Sequence, residues 1–156
     1  MPAQVERYNK VAKELLGESS DRMYAIQGDL LNPDPVLDSP EWFGFDMVVI
    51  SMALHHIDDA VDMLKRLKDR LREGGVLVVA DWLSSTDPEG RGDQLSKDVV
   101  EKHGIKHLGF TAAGIERQLT SAGYSDVDVM LHPETSCVPE TMGAELQVFF
   151  AKGTVS

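Results

Sequence analysis

Two histidines and two aspartates arrive within five positions of the stretch "FDMVVISMALHHIDDA": His55, His56, Asp58 and Asp59. Imidazole and carboxylate are good ligands for divalent metals. A neutral imidazole near pH 7 also takes a proton from a hydroxyl. Neighbouring residues on a turn point in different directions, however, and no distant fourth ligand is evident, so no metal site is expected. Asp58 and Asp59 suit the positive N-terminal end of a following helix, which leaves the two histidines as candidate bases. Asp29 closes the apolar stretch "MYAIQGDLL", where an aspartate commonly serves a turn. Asp81-Trp82 closes another, "GVLVVADWL". His103 and His107 in "HGIKH" have the spacing of one helical face, but Gly104 works against a helix there. Cys137 lies in a proline-containing loop with no base in view, which argues against a nucleophilic role.

The elements that must position these groups can be read from periodicity. Val5–Leu16 has apolar residues at helical spacing, with Gly17 as a stop. Met23–Leu31 reads as a short strand, followed by the proline-rich loop Asn32–Trp42. Phe45–Ala53 is apolar on both faces, as in a buried parallel sheet. Ile57–Leu71 carries a helical apolar stripe, and the glycines of "EGG" are expected to end it. Gly75–Leu83 is a second buried strand. Ser84–Gly109 is a long polar connection. Thr111 is an N-cap for a helix over Ala112–Ala122, with Gly123 as its C-terminal stop. Tyr124–Leu131 alternates like a strand near a sheet edge. The turn-rich loop "HPETSCVPETMG" then leads to a last strand, Ala144–Lys152. The final two strands have no helix between them and should form an antiparallel hairpin.

The chain has 156 residues, enough for a single domain (residues 1–156) with a real core. Its net charge of −11 repels phosphate backbones and anionic lipid, so neither nucleic acid nor a membrane is an expected partner. One cysteine gives no internal disulfide, in keeping with a reducing compartment, and a cytoplasmic location is expected. No apolar run approaches the length needed to cross a bilayer.

The ordered set "QGDLL", "FDMVVISMALHHIDD", a helix, "LREGGVLVVADW" and "GFTAAGIERQLTSAGY" resembles the class I S-adenosylmethionine-dependent methyltransferases. The resemblance covers nearly the whole chain and implies a three-layer Rossmann-like α/β sheet, with ligands outside the carboxyl ends of its strands. It implies that Asp29 accepts a hydrogen bond from the cofactor's adenine amino group and that the Leu30 N–H faces a ring nitrogen. It also implies that Ser51, Met52 and Ala53 underlie the methionine part, with Met52 and Leu54 as apolar contacts. His55 and His56 would border the pocket of a small-molecule methyl acceptor.

The family's glycine-rich turn after its first strand, and the ribose-binding acid ending its second, have no counterpart. No strand is expected before Met23. The chain therefore reads as a partial domain lacking the first two strands, with weak or absent cofactor binding. One edge of the Phe45–Ala53 strand would lose its neighbour. Exposing Val48, Val49 and Ile50 would cost about 1.5–3 kcal/mol each, so an open edge should find a partner. Three repairs are open: the Met23–Gln27 strand moves over, two chains pair edge to edge as a homodimer, or a separate polypeptide supplies the missing strands; one of the first two is expected. The alternative function is a non-catalytic module that binds itself or a partner through that edge.

Overall fold

The computed structural model describes residues 2–84, 97–102, 104–106, 109–137 and 145–156. It divides into two compact units, residues 1–39 and 40–156.

The N-terminal unit begins with helix α1 (Pro2–Leu16), which runs into a 3-10 turn, Gly17–Arg22. Ala12 is buried, but Tyr8, Val11, Leu15 and Leu16 of the expected apolar stripe are exposed. The expected strand Met23–Leu31 does not form. The backbone of Ala25 is held instead by one side chain: its N–H donates to Asn9 Oδ1 at 2.6 Å, and its carbonyl accepts from Asn9 Nδ2 at 3.0 Å. Those groups are the ones a ladder partner would have used. The shift of this segment to the open strand edge does not occur.

The second unit contains β1 (Phe45–Ser51), α2 (Ala60–Lys68), β2 (Leu71–Trp82), α3 (Lys97–Lys102), α4 (Ala112–Ser121), β3 (Ser125–Cys137) and β4 (Glu145–Thr154). The four strands form one sheet in the order β1-β2-β4-β3. β1 and β2 are parallel, and β4 lies antiparallel to both β2 and β3. The architecture is the expected α/β Rossmann-like one, with its antiparallel C-terminal hairpin. No strand precedes β1 among the described residues.

Local chemistry sets the boundaries. The Asp59 side chain caps α2 by accepting from the Asp62 N–H, so the helix starts at Ala60 rather than Ile57. Helix α2 ends at Lys68, before the glycines of "EGG". Gly74 has φ of +73° and sits where the β1–β2 register shifts, so the glycines form a bulge inside β2. A side chain on Gly75 would collide with the carbonyls of Arg72 and Phe45. The Thr111 side chain caps α4 as expected, accepting from the Gly114 N–H at 3.0 Å. β3 continues to Cys137 through a register shift between Leu131 and Thr135, so half of the expected loop is strand. Within the polar connection, Lys97–Lys102 is helical.

The core sits on one face of the sheet. Leu77 and Val79 of β2 and Phe149 and Ala151 of β4 are buried, with Val79 opposite Ala151 in the ladder. Helices α2 and α4 pack on each other and on these strands. The Tyr124 hydroxyl joins this layer by donating to the Leu64 carbonyl at 3.0 Å. Burial and the negative charge of Asp69 push its pKa well above 10.0. β1 is the sheet edge, as expected, but it is not buried on both faces: Met47 and Val49 are 59% and 57% exposed.

Candidate functional site

The parallel pairing of β1 with β2 brings two strand ends together, since Ser51 stands opposite Ala80. Beyond Ser51 the chain turns sharply. Met52 adopts φ of +50°, a left-handed conformation uncommon for a side chain of its size, while its N–H donates to the Ala80 carbonyl at 2.8 Å. Leu54–His56 then form one 3-10 turn. Ser51 and Met52 are exposed and Ala53 is half-buried. Leu54 is fully buried, so of the two expected apolar contacts only Met52 is at the surface.

The two histidines have different environments. His55 is 2% exposed, and its ring stacks on Trp82 with centroids 4.5 Å apart. Its Nδ1 lies 2.7 Å from Oδ1 of Asp81, which is 0% exposed. The Asp81 carboxylate also accepts from the Trp82 N–H at 2.7 Å and the His55 N–H at 3.2 Å. A carboxylate offers only acceptors, so Nδ1 carries the shared proton. His56 is exposed, with Nδ1 3.1 Å from the Gly104 carbonyl. That carbonyl also accepts only, which leaves the lone pair of neutral His56 on Nε2.

A third segment closes against these two. The Lys106 N–H donates to the His55 carbonyl at 2.9 Å, and the Lys106 ammonium pairs with Asp58 at 3.4 Å. Ile105 packs with Trp82 and Leu146 in a small buried cluster. The Leu83 and Phe110 backbones bridge, and Gly109 at φ of +98° lets the chain approach Ser84 closely.

Ser51, Met52, Ala53, His55 and His56 are thus brought to one rim with Asp81 and Trp82. Asp29 and Leu30 belong to the N-terminal unit. There the Asp29 carboxylate accepts from the Leu31 N–H at 2.9 Å and the Asn32 side chain at 2.7 Å. The Asn32 bond, then that from Leu31, holds its pKa below 3.8. His103 and His107 lie outside the described residues. Cys137 is exposed, with its thiol 3.8 Å from Glu145. The sequence reading missed the bonding of Asp81 to His55. The signal was there, because an acid ending a wholly apolar strand needs a partner, and the adjacent strand exit supplies a histidine.

Residues 1–77 match the family model described as a methyltransferase domain. A Schizosaccharomyces pombe protein named as an uncharacterized methyltransferase is 35% identical over 94 residues, covering 60% of this chain. Through its N-terminal part the chain is similar to methyltransferases. The chain spans 32% of the length of that yeast relative. Solved methyltransferases share its fold. A Galdieria sulphuraria protein named for sarcosine and dimethylglycine methylation aligns with TM-score 0.66 and 14% identity, covering 100% of this chain and 67% of its own. A Nostoc punctiforme protein named as an O-methyltransferase gives 0.57 at 22% identity, covering 92% and 40%. Phosphoethanolamine N-methyltransferase 2 of Haemonchus contortus, solved with phosphomonomethylethanolamine and S-adenosylhomocysteine, gives 0.51 at 15% identity, covering 71% and 33%.

Proposed function

We propose that this chain is an S-adenosylmethionine-dependent methyltransferase domain acting on a small-molecule acceptor. The observation that carries the reading is the rim at the β1 and β2 exits, where an exposed turn of small and apolar residues adjoins an imidazole with a defined tautomer. The rim suits part of the cofactor. Ser51, Met52 and Ala53 would hold its amino-acid end. No acid at the end of an earlier strand is available for the ribose among the described residues, so binding is weak. When bound, the cofactor supplies an electron-poor methyl group on a sulfonium. The chain's own work is to align an acceptor oxygen, nitrogen or carbon with that methyl and to exclude water. His56, the exposed histidine and the better placed base, would take the acceptor's proton on its Nε2. His55, closed in beneath Trp82, holds its proton on Nδ1 for Asp81.

Titration calorimetry with S-adenosylhomocysteine tests this. Saturable binding between ~10 μM and ~1 mM is expected. No heat at millimolar ligand would overturn the reading, and low-micromolar affinity would refute the claim of a partial pocket.

Two copies are proposed to pair through β1, an edge strand that exposes Met47 and Val49. Light scattering should give a dimer mass for the wild-type chain and a monomer mass for Val49→Lys. A monomer at every wild-type concentration would remove the edge-pairing proposal.

A further inference from the structure

We infer that Asp81 is a positioning residue: through His55 it fixes the Met52–His56 turn on which the proposed cofactor and base sites stand. The inference rests on the methyltransferase reading for its consequence, but not for its geometry. One buried carboxylate takes three donors, the Trp82 N–H from its own strand and the His55 N–H and Nδ1–H from the neighbouring strand exit. It therefore ties the end of β1 to the end of β2 past the point where the ladder stops at Ser51 and Ala80. The turn it holds is not a relaxed one. Met52 is left-handed, a conformation that persists only when its surroundings over-determine it. The surroundings are the Met52 bond to the Ala80 carbonyl, the Trp82 ring over His55, and the Lys106 N–H on the His55 carbonyl. His56 follows directly and is anchored on Gly104, two residues from Lys106. A shift of His55 thus moves the exposed Ser51–Ala53 floor on one side and the candidate base on the other.

Burial of an acid with an imidazole is weak grounds for stability, since apolar packing of equal volume often does as well. Its distinctive consequence is geometric. An amide in place of the carboxylate has one acceptor oxygen for three donors and presents an N–H of its own. His55 then satisfies the site best by exchanging tautomers, with Nδ1 accepting and Nε2 protonated. Replacing His55 by Asn keeps a donor close to the Nδ1 position, whereas Ala removes it.

The test is nitrogen NMR of the histidine rings together with backbone amide shifts, on the full chain. In the wild type the His55 Nδ1 should be protonated. In Asp81→Asn it should become the unprotonated nitrogen, and the Met52, Ala53 and His56 amides should move while those of β3 stay. His55→Asn should retain wild-type amide positions at Met52 and Ala53, and His55→Ala should lose them. S-adenosylhomocysteine affinity should fall about tenfold in Asp81→Asn and His55→Ala but not in His55→Asn. An unprotonated Nδ1 in the wild type would overturn the inference. So would equal displacement of the turn by His55→Asn and His55→Ala, a comparison that stands even if Asp81→Asn does not fold. If the wild-type chain binds no ligand, the functional reading fails, while the ring and amide measurements still decide the role of Asp81.

Discussion

Asp29 and Asp81 each close an apolar stretch, and the folded chain uses them in opposite ways. Asp29 is exposed, and its carboxylate is bonded by Leu31 and Asn32, two and three residues away. Asp81 is fully buried, and its imidazole partner is 26 residues away on another strand exit. The first arrangement is a local turn that needs only its own loop. The second exists only when β1 and β2 are in register, and it stands in a low-dielectric setting where an unmade bond is costly. The same contrast runs through the two units. The N-terminal unit meets the backbone of Ala25 with a single Asn9 side chain, whereas the C-terminal unit meets its backbone needs with a sheet.

The comparison breaks most visibly at Asp81. Asp81→Ala leaves three donors facing a cavity and should cost about 3 kcal/mol in urea denaturation; a loss below about 1 kcal/mol would mean that water replaces the carboxylate freely. Tyr124 gives a smaller long-range effect. Its bond to Leu64 spans 60 residues, and Tyr124→Phe should cost about 1 kcal/mol at neutral pH. The sign of its pH dependence follows from a folded-state pKa raised above the ordinary 10.0. The phenol's contribution is complete below pH 10.0 and is lost as the pH climbs toward the folded value. Wild-type stability should therefore decline faster above that pH than the stability of Tyr124→Phe.

The smallest effect belongs to Asp29. Its folded pKa is depressed, so the turn is held above pH 3.8 and released as the pH falls through the folded value. Leu31 and Asn32 resonances should report a midpoint below 3.8. Asp29→Asn should leave the unfolding midpoint of the C-terminal unit unchanged. A large shift in that midpoint would show that this loop is not self-contained.

Much of the scaffold was legible from local rules. Asp59 and Thr111 cap helices where an acid or hydroxyl precedes an apolar period, and Gly123, at φ of +89°, follows the end of α4. The continuous apolar runs became β1 and β2, and the hairpin of β3 and β4 followed from the absence of a helix between them. Met23–Leu31 was misread because strand propensity is realised only with a ladder partner, which this segment lacks. The glycines of "EGG" were misassigned because a helix stop and a bulge demand the same positive φ. At the site, sequence spacing gathered Ser51–Ala53 with His55 and His56.

Sequence alone determined where β1, the caps of α2 and α4 and the turn at Gly123 fall, because those depend on residues a few positions apart. Only the tertiary structure decided that His55 is enclosed and His56 open, and that Met52 is held in a left-handed turn. Burial and hydrogen-bond closure are set by segments 26 to 48 residues distant, and no local periodicity encodes which of two adjacent imidazoles will meet the carboxylate.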